Sequence, residues 1–404
     1  MATDRYLYVR DNVNGFSFSN LGLFTGFGDG VYNAVYSLVI LSIFTGVVGA
    51  SMASAVVGVY VGVYSVFCMF ISLFSNQLLR WFAKAKLLYM AMLFVAICYA
   101  MMSLSIKPTT FIALDYTSGI GSTMVGILIP LFMADFADKS GGMARLNARY
   151  HLWANIGAVA APLVATAILT RFGDNRLPFM ASALVYFAGL MFFKNFGIVQ
   201  QEKVINRVSP KRTLRGLWLN ALAFFRHENM GRAYFVNFGY YALRSLRLLY
   251  VPIMVIERGF SAETLGWVLT IGILPYIILD LFIGKLVKKF GSKMFMTIGL
   301  ISFAILAGCA TFATGNWLLV IFVLWQISGA CMEPVHDLMF FDNTKKTEQS
   351  RFYGIFRTSV NFPSVITPIV GGLVIASMGA TAAVWYVCVA IGLFTAAVLW
   401  APRR

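Results

Sequence analysis

Apolar runs long enough to form membrane-spanning helices recur along the chain, separated by short clusters of charge or by Pro and Gly. A hydrocarbon core about 30 Å thick takes about 20 residues of helix. The runs place twelve spans near 21–45, 52–74, 86–105, 110–134, 150–170, 177–197, 232–256, 263–283, 294–313, 317–341, 355–377 and 380–400. Residues 198–229 form the one long polar stretch, in which Gly216 to Phe225 has the two-faced pattern of a helix lying in the membrane interface. The expected architecture is all-α and integral to the membrane: a six-helix bundle over 1–198, a basic linker over 199–229 and a second six-helix bundle over 230–404.

Of the 404 residues 59% are hydrophobic and 12% charged, against about 25% charged in a soluble domain. A soluble globule is excluded, and no polar block is long enough to fold as a catalytic domain. The 32 Lys and Arg exceed the 16 Asp and Glu, for a net charge of +16. Their distribution makes lipid, not nucleic acid, the expected partner. Most lie in the termini, the linker, alternate loops and the span ends that border them; Lys107, Arg171, Arg176 and Arg258 fall in the remaining loops, and Arg244 and Arg247 deep within a span. This asymmetry puts both termini and the linker in the cytoplasm of a multi-pass inner (plasma) membrane protein, its basic excess facing anionic headgroups. The five cysteines sit in apolar runs without CxxC or Cys/His spacing and are expected as buried hydrophobes.

The two halves carry the same landmarks at a nearly constant offset. Pro130 and Asp138 recur as Pro334 and Asp342, 204 positions on; Arg145, Asn155 and Pro162 recur as Arg351, Asn361 and Pro368, 206 positions on. Phe27 and Gly28 likewise match Phe238 and Gly239, and Phe82 and Ala83 match Phe290 and Gly291. Such a duplication implies two bundles in the same orientation, related about an axis along the membrane normal.

The loop Gly284-Lys-Leu-Val-Lys-Lys-Phe-Gly291-Ser-Lys293 resembles the G-x-L-x-D-R-x-G-R-K loop of the major facilitator superfamily, with Lys288 at the acidic position. Its first-half counterpart, 76–86, keeps Lys84 and Lys86 but has Arg80 in place of the acid. Loss of both acids leaves the family's loop-to-helix salt bridge without its usual carboxylate. Gly157-x-x-x-Ala161-Pro162-x-x-Ala165 is similar to the fifth-span motif of family antiporters, with alanines for glycines. The resemblance implies a secondary transporter working by alternating access around a midplane cavity lined in part by the seventh and tenth spans.

Ionisable residues inside spans are costly and are functional candidates by default. Arg244 and Arg247, near mid-depth of the seventh span, share one helix face by their i,i+3 spacing. Two guanidiniums at that depth suit a carboxylate or phosphate, so they form a candidate clamp for a small or medium organic anion; an internal charge network with the tenth span is the alternative. Glu333, His336 and Asp337 on the tenth span, together with Asp29 on the first, are candidates for proton coupling. Asp337 and His336 could equally pair with Lys345 or Arg351, and Asp29 could be a latch to a basic loop residue. Aligning Phe27 with Phe238 sets Asn33 opposite Arg244 and Tyr36 opposite Arg247, making Asn33, Tyr32 and Tyr36 candidate substrate contacts. Asp115 and Asp280, near span ends, are expected as interfacial partners. Asp138, Arg145, Asp342 and Arg351 in the repeated loops are expected to act as gates.

Neither GxGxxG nor GxxxxGK[ST] occurs as a loop, the three histidines are dispersed, and HExxH and GxSxG are absent. No cofactor, metal or catalytic site is expected. The partners are a small-molecule substrate, protons and the bilayer, with a monomer as the working form. The rival functions are efflux of amphipathic compounds, for which Phe, Tyr and Met offer an adaptable lining, transfer of an anionic lipid, and a non-transporting sensor or membrane-embedded enzyme.

Overall fold

The apolar runs fold into helices that mostly overrun them at one or both ends, because amphipathic turns continue past the last membrane-compatible residue. The computed structural model describes residues 6–8, 15–136, 143–196, 199–200, 210–336, 338–344, 346–378 and 380–400. A short strand β1 (Tyr6–Tyr8) pairs antiparallel with β2 (Val199–Gln200), tying the amino terminus to the start of the linker. Helix α1 (Gly15–Ser19) leads into α2 (Leu21–Val48), followed by α3 (Ala50–Trp81), α4 (Lys84–Leu104), α5 (Pro108–Phe136), α6 (Met143–Phe172) and α7 (Pro178–Lys194). The linker helix is α8 (Pro210–Arg226). The second half contains α9 (Glu228–Glu257), α10 (Ala262–Phe290), α11 (Ser292–Phe312), α12 (Asn316–His336), a short α13 (Leu338–Asp342), α14 (Lys346–Met378) and α15 (Val384–Trp400).

Ten of these helices are long and apolar enough to cross a membrane. The other two of the twelve expected spans are α7, apolar but 17 residues long, and α9, which carries Arg244 and Arg247. Helix α8 exposes Trp218, Leu219, Leu222 and Phe225 while burying Phe224. Cys309 departs from expectation: it is exposed, on an α11 that also exposes Ile298, Ile301 and Ile305.

The internal repeat is visible in how the halves meet. Helix α3 packs along α14 and α6 along α10; these are the second span on the eleventh and the fifth on the eighth, the two equivalent pairings that a twofold repeat demands. Small residues permit the approach. A side chain at Gly58 would collide with the Pro368 carbonyl, and one at Gly372 with the Ala55 carbonyl. Thr270 Oγ1 donates to the Val159 carbonyl at 3.0 Å on the other seam.

Cross-half contacts occur at both ends. At the linker end Ile127 and Leu131 of α5 join an aromatic cluster of Phe224, Tyr234, Phe340, Phe352 and Phe356. At the far end Ser54 donates to Glu257 at 2.8 Å. Gly291, with φ +80°, closes α10 in a conformation that side chains rarely adopt, whereas its repeat mate Ala83 stays at φ −64°. The adjoining Lys84 is buried and pairs with Asp135 of α5 at 2.7 Å. A salt bridge between the base that begins α4 and an acid near the end of α5 therefore exists in the first half.

Candidate functional site

Arg244 occupies the middle of the 30-residue α9. Its Nη1 donates to Glu333 Oε1 of α12 at 2.8 Å and to the Tyr240 hydroxyl at 3.3 Å, with the guanidinium 5.9 Å from the Tyr241 ring. The arginine side chain is one-third exposed and Glu333 is buried. The second carboxylate oxygen, Oε2, accepts from Asn155 Nδ2 of α6 at 3.3 Å. Glu333 thus joins the arginine of its own half to an amide of the other half.

Arg247 shares a face with Arg244 by spacing, but the two guanidiniums diverge. Arg247 is buried and reaches α10, where Nη1 donates to the Tyr276 hydroxyl at 2.9 Å. The Tyr276 hydroxyl in turn donates to Gln326 Oε1 at 3.4 Å. Among the described residues no carboxylate pairs with Arg247, and its buried Nε meets no acceptor.

His336 lies beside this pair. Its Nδ1 contacts the Glu333 carbonyl and its Nε2 lies 3.0 Å from the Tyr241 hydroxyl. His151 of α6 faces it across the seam at 6.2 Å between ring centres, and the buried His151 Nε2 has no hydrogen-bond partner among the described residues. Arg351 Nε donates to Asn220 of α8 at 2.6 Å. Asp337, Asp138 and Lys345 lie outside the described residues, as does the side chain of Asp342. Arg145 is exposed near the start of α6.

Asp29 accepts from the Tyr186 hydroxyl of α7 at 2.5 Å, rather than latching a basic loop, and lies within electrostatic reach of Arg244. Asn33 is half-buried on the same helix. Tyr32 and Tyr36 stack on each other at 4.7 Å and both donate to Asp115, at 2.7 and 3.3 Å. Asp115 is consequently not an interfacial residue: it is fully buried, because α2 and α3 wrap tyrosines around that stretch of α5. An open cleft at the far end, bordered by Val39, Ile43, Lys107, Phe111 and Arg176, contains none of the charged span residues.

Sequence reasoning passed over His151, Asn155 as a ligand of Glu333, and the phenols of Tyr186, Tyr240, Tyr241 and Tyr276. The available signal was the i,i+4 spacing of His151 and Asn155, which puts both on one face of α6.

Residues 233–404 match the family model of the Major Facilitator Superfamily. Among curated proteins none matches the sequence. The fold is similar to that of the human organic anion transporter MFSD10 (TETRAN), with a TM-score of 0.76 at 14% identity over 95% of this chain and 98% of that one. It is also similar to a D-xylose-proton symporter, with a TM-score of 0.74 at 16% identity over 96% and 97% of the two chains. For the nucleoside transporter NupG the TM-score is 0.64 at 15% identity over 95% and 98%. Over its second half the chain thus matches the major facilitator superfamily in sequence, and over nearly its whole length it shares the fold of these solved transporters.

Proposed function

We propose that the protein is a secondary transporter that moves a small organic anion by alternating access, with proton coupling through Glu333. The bundles 1–198 and 230–404 rock about the linker 199–229, and the linker end faces the cytoplasm. The observation that carries this reading is Arg247, a buried guanidinium without a carboxylate partner among the described residues, one turn from an Arg244 whose own carboxylate is shared across the seam. Removing a cation from water without a counter-charge costs several kcal/mol. A bound carboxylate or phosphate supplies that charge, in the geometry a guanidinium prefers.

Substrate and Glu333 compete for Arg244. Ionised, Glu333 holds Arg244 and Asn155 together. Protonated, it no longer offers a negative charge, so the guanidinium is released to the anion and the charged link across the seam is lost. Proton and anion binding therefore favour each other, as a linked pair must. His336 and His151 flank the carboxylate as exchange partners, since imidazole titrates near neutrality. Asp29 is the acid of the first half that faces Arg244. Asn33 is the candidate substrate contact of the first half that Asp115 does not engage. The similarity to a structure described as an organic anion transporter supports this substrate class.

The test is ligand-induced thermal stabilisation with polycarboxylates, phosphate esters, lysolipids and lipophilic cations, followed by uptake into proteoliposomes. A ligand at a hundredfold its Kd stabilises the native state by about 2.7 kcal/mol. Anions are expected to stabilise the native protein but neither Arg244→Gln nor Arg247→Gln. Stabilisation by lipophilic cations alone overturns the anion reading, and uptake insensitive to a pH gradient overturns the coupling.

A further inference from the structure

Asp115 has no part in the site around Glu333, yet it is the most enclosed carboxylate described. It lies about 10 Å inside the far end of α5, seven residues at 1.5 Å each, and is 0% exposed. Three phenols from two other helices converge on it. Tyr32 donates to Oδ1 at 2.7 Å, Tyr60 to Oδ2 at 2.7 Å and Tyr36 to Oδ2 at 3.3 Å. Tyr64 and Cys68 of α3, Tyr99 of α4 and the neighbouring Tyr116 are the other titratable groups facing it. Among the described residues no cation pairs with it.

A carboxylate inside a helical bundle needs either a counter-charge or a proton. Phenol dipoles offset part of the cost of ionisation, but they also suit the neutral acid. A protonated carboxyl has one O–H to donate, and a phenol oxygen accepts as readily as it donates. Of the three phenols, Tyr36 makes the longest bond and is half-buried, whereas Tyr32 and Tyr60 are buried. It is the most exposed of the three.

We propose that Asp115 is a second proton-binding site, seated in the first half and gated by Tyr36. A proton arriving at the Tyr36 oxygen releases the phenol's own proton to Asp115 Oδ2, so that Tyr36 ends unchanged and the carboxylate becomes a neutral acid donating back to it. Tyr60 belongs to α3, the helix packed along α14, so the charge change alters a hydrogen bond made by an element of the seam. The inference goes beyond anion transport and requires neither the substrate nor Glu333.

Infrared difference spectra of the purified full-length protein, titrated over the range where carboxyl and imidazole groups change charge, test it directly. A carbonyl band of protonated acids is expected to appear on acidification, to lose one component in Asp115→Asn and to keep that component in Glu333→Gln. In Tyr36→Phe the band remains with a displaced midpoint, and this variant decides the matter if Asp115→Asn does not fold. A band unchanged in Asp115→Asn, an unmoved midpoint in Tyr36→Phe, or no titrating band at all overturns the proposal. Loss of the band in Glu333→Gln alone assigns the proton to Glu333 and also overturns it, while leaving the transport reading intact.

Discussion

Asn155 and Asn361, 206 positions apart and equivalent in the repeat, each donate across the seam between the two halves. Asn155 of α6 reaches Glu333 of α12; Asn361 of α14 reaches Ser72 Oγ at 2.6 Å and the Cys68 carbonyl at 3.1 Å on α3. An amide at this position stitches one bundle to the other whichever half it belongs to. The partners differ in kind. One amide holds an ionisable carboxylate and the other holds neutral groups, so only the Asn155 seam is sensitive to protonation in the transport reading.

Alanine at either position should therefore loosen the closed seam by about 1 kcal/mol, the net worth of a hydrogen bond. The two variants should separate by pH. Asn361→Ala is expected to weaken closure equally at all pH values, while the effect of Asn155→Ala should shrink once Glu333 is protonated, because the neutral acid is a weaker acceptor. Cross-linking between cysteines placed on α6 and α12 measures this, and parallel pH profiles for the two variants would contradict it.

Arg244 and Glu333 should behave as one unit. Arg244→Gln leaves a buried carboxylate with a single amide donor, and such a loss costs on the order of 3 kcal/mol in a fully buried pair, less here because the arginine is one-third exposed. Adding Glu333→Gln removes the stranded charge and should recover most of the stability. A double-mutant cycle of thermal unfolding reads the coupling, and additive losses would mean that the pair is structurally silent.

Gly58 offers a handle on the seam itself. Its α-carbon faces the Pro368 carbonyl and the Tyr250 hydroxyl, which donates to that carbonyl at 3.0 Å. Gly58→Leu overfills this contact at a cost of about 1–3 kcal/mol, paid only while α3 and α14 are together. The population should shift to the separated state, raising the reactivity of the buried Cys68 towards a thiol reagent in a Cys309→Ser background. Unchanged reactivity would show that the seam opens elsewhere.

The helices were legible in the sequence because the bilayer imposes one length and one composition on every span, and the repeat was legible because its landmarks kept their spacing. Side-chain direction was not. Spacing alone puts Arg244 and Arg247 on one face, but the acceptors belong to α12 and α10, so the two diverge. Asp115 read as interfacial since distance along a helix says nothing of what neighbouring helices bring alongside it. The stacking of Tyr32 and Tyr36 that builds its cage depends on the rotation of α2.

At the far end Arg176 fastens two loops, chelating Asp174 through Nε at 2.9 Å and Nη2 at 2.8 Å while Nη1 contacts the Ser105 carbonyl. The Arg176 hydrogen bonds hold the Asp174 carboxyl below its ordinary value. A folded-state value depressed in this way makes the contribution complete above the ordinary carboxylate range and lost as pH falls through the lowered value. Both side chains are one-third exposed, so Arg176→Gln should cost no more than about 1 kcal/mol. It should also flatten the acid side of the unfolding profile, and an unaltered acid limb would show that other carboxylates set it.

Lys84 and Asp135 carry the last prediction, because they place a salt bridge where the loop motif has lost its acid. Lys84 is buried at the start of α4 and Asp135 is partly exposed near the end of α5, with 2.7 Å between them. The energetic risk is unequal. Asp135→Asn leaves a buried ammonium with a neutral acceptor, whereas Lys84→Met replaces the ammonium by an apolar chain and leaves a carboxylate that water can reach. Asp135→Asn should therefore be the more destabilising, by about 1–3 kcal/mol, with Lys84→Met closer to neutral. If the pair also steadies the linker end during the cycle, Lys84→Met should change the rate of exchange far more than the unfolding temperature. Equal losses in both variants would mean that the bridge acts through its attraction alone and not through the burial of Lys84.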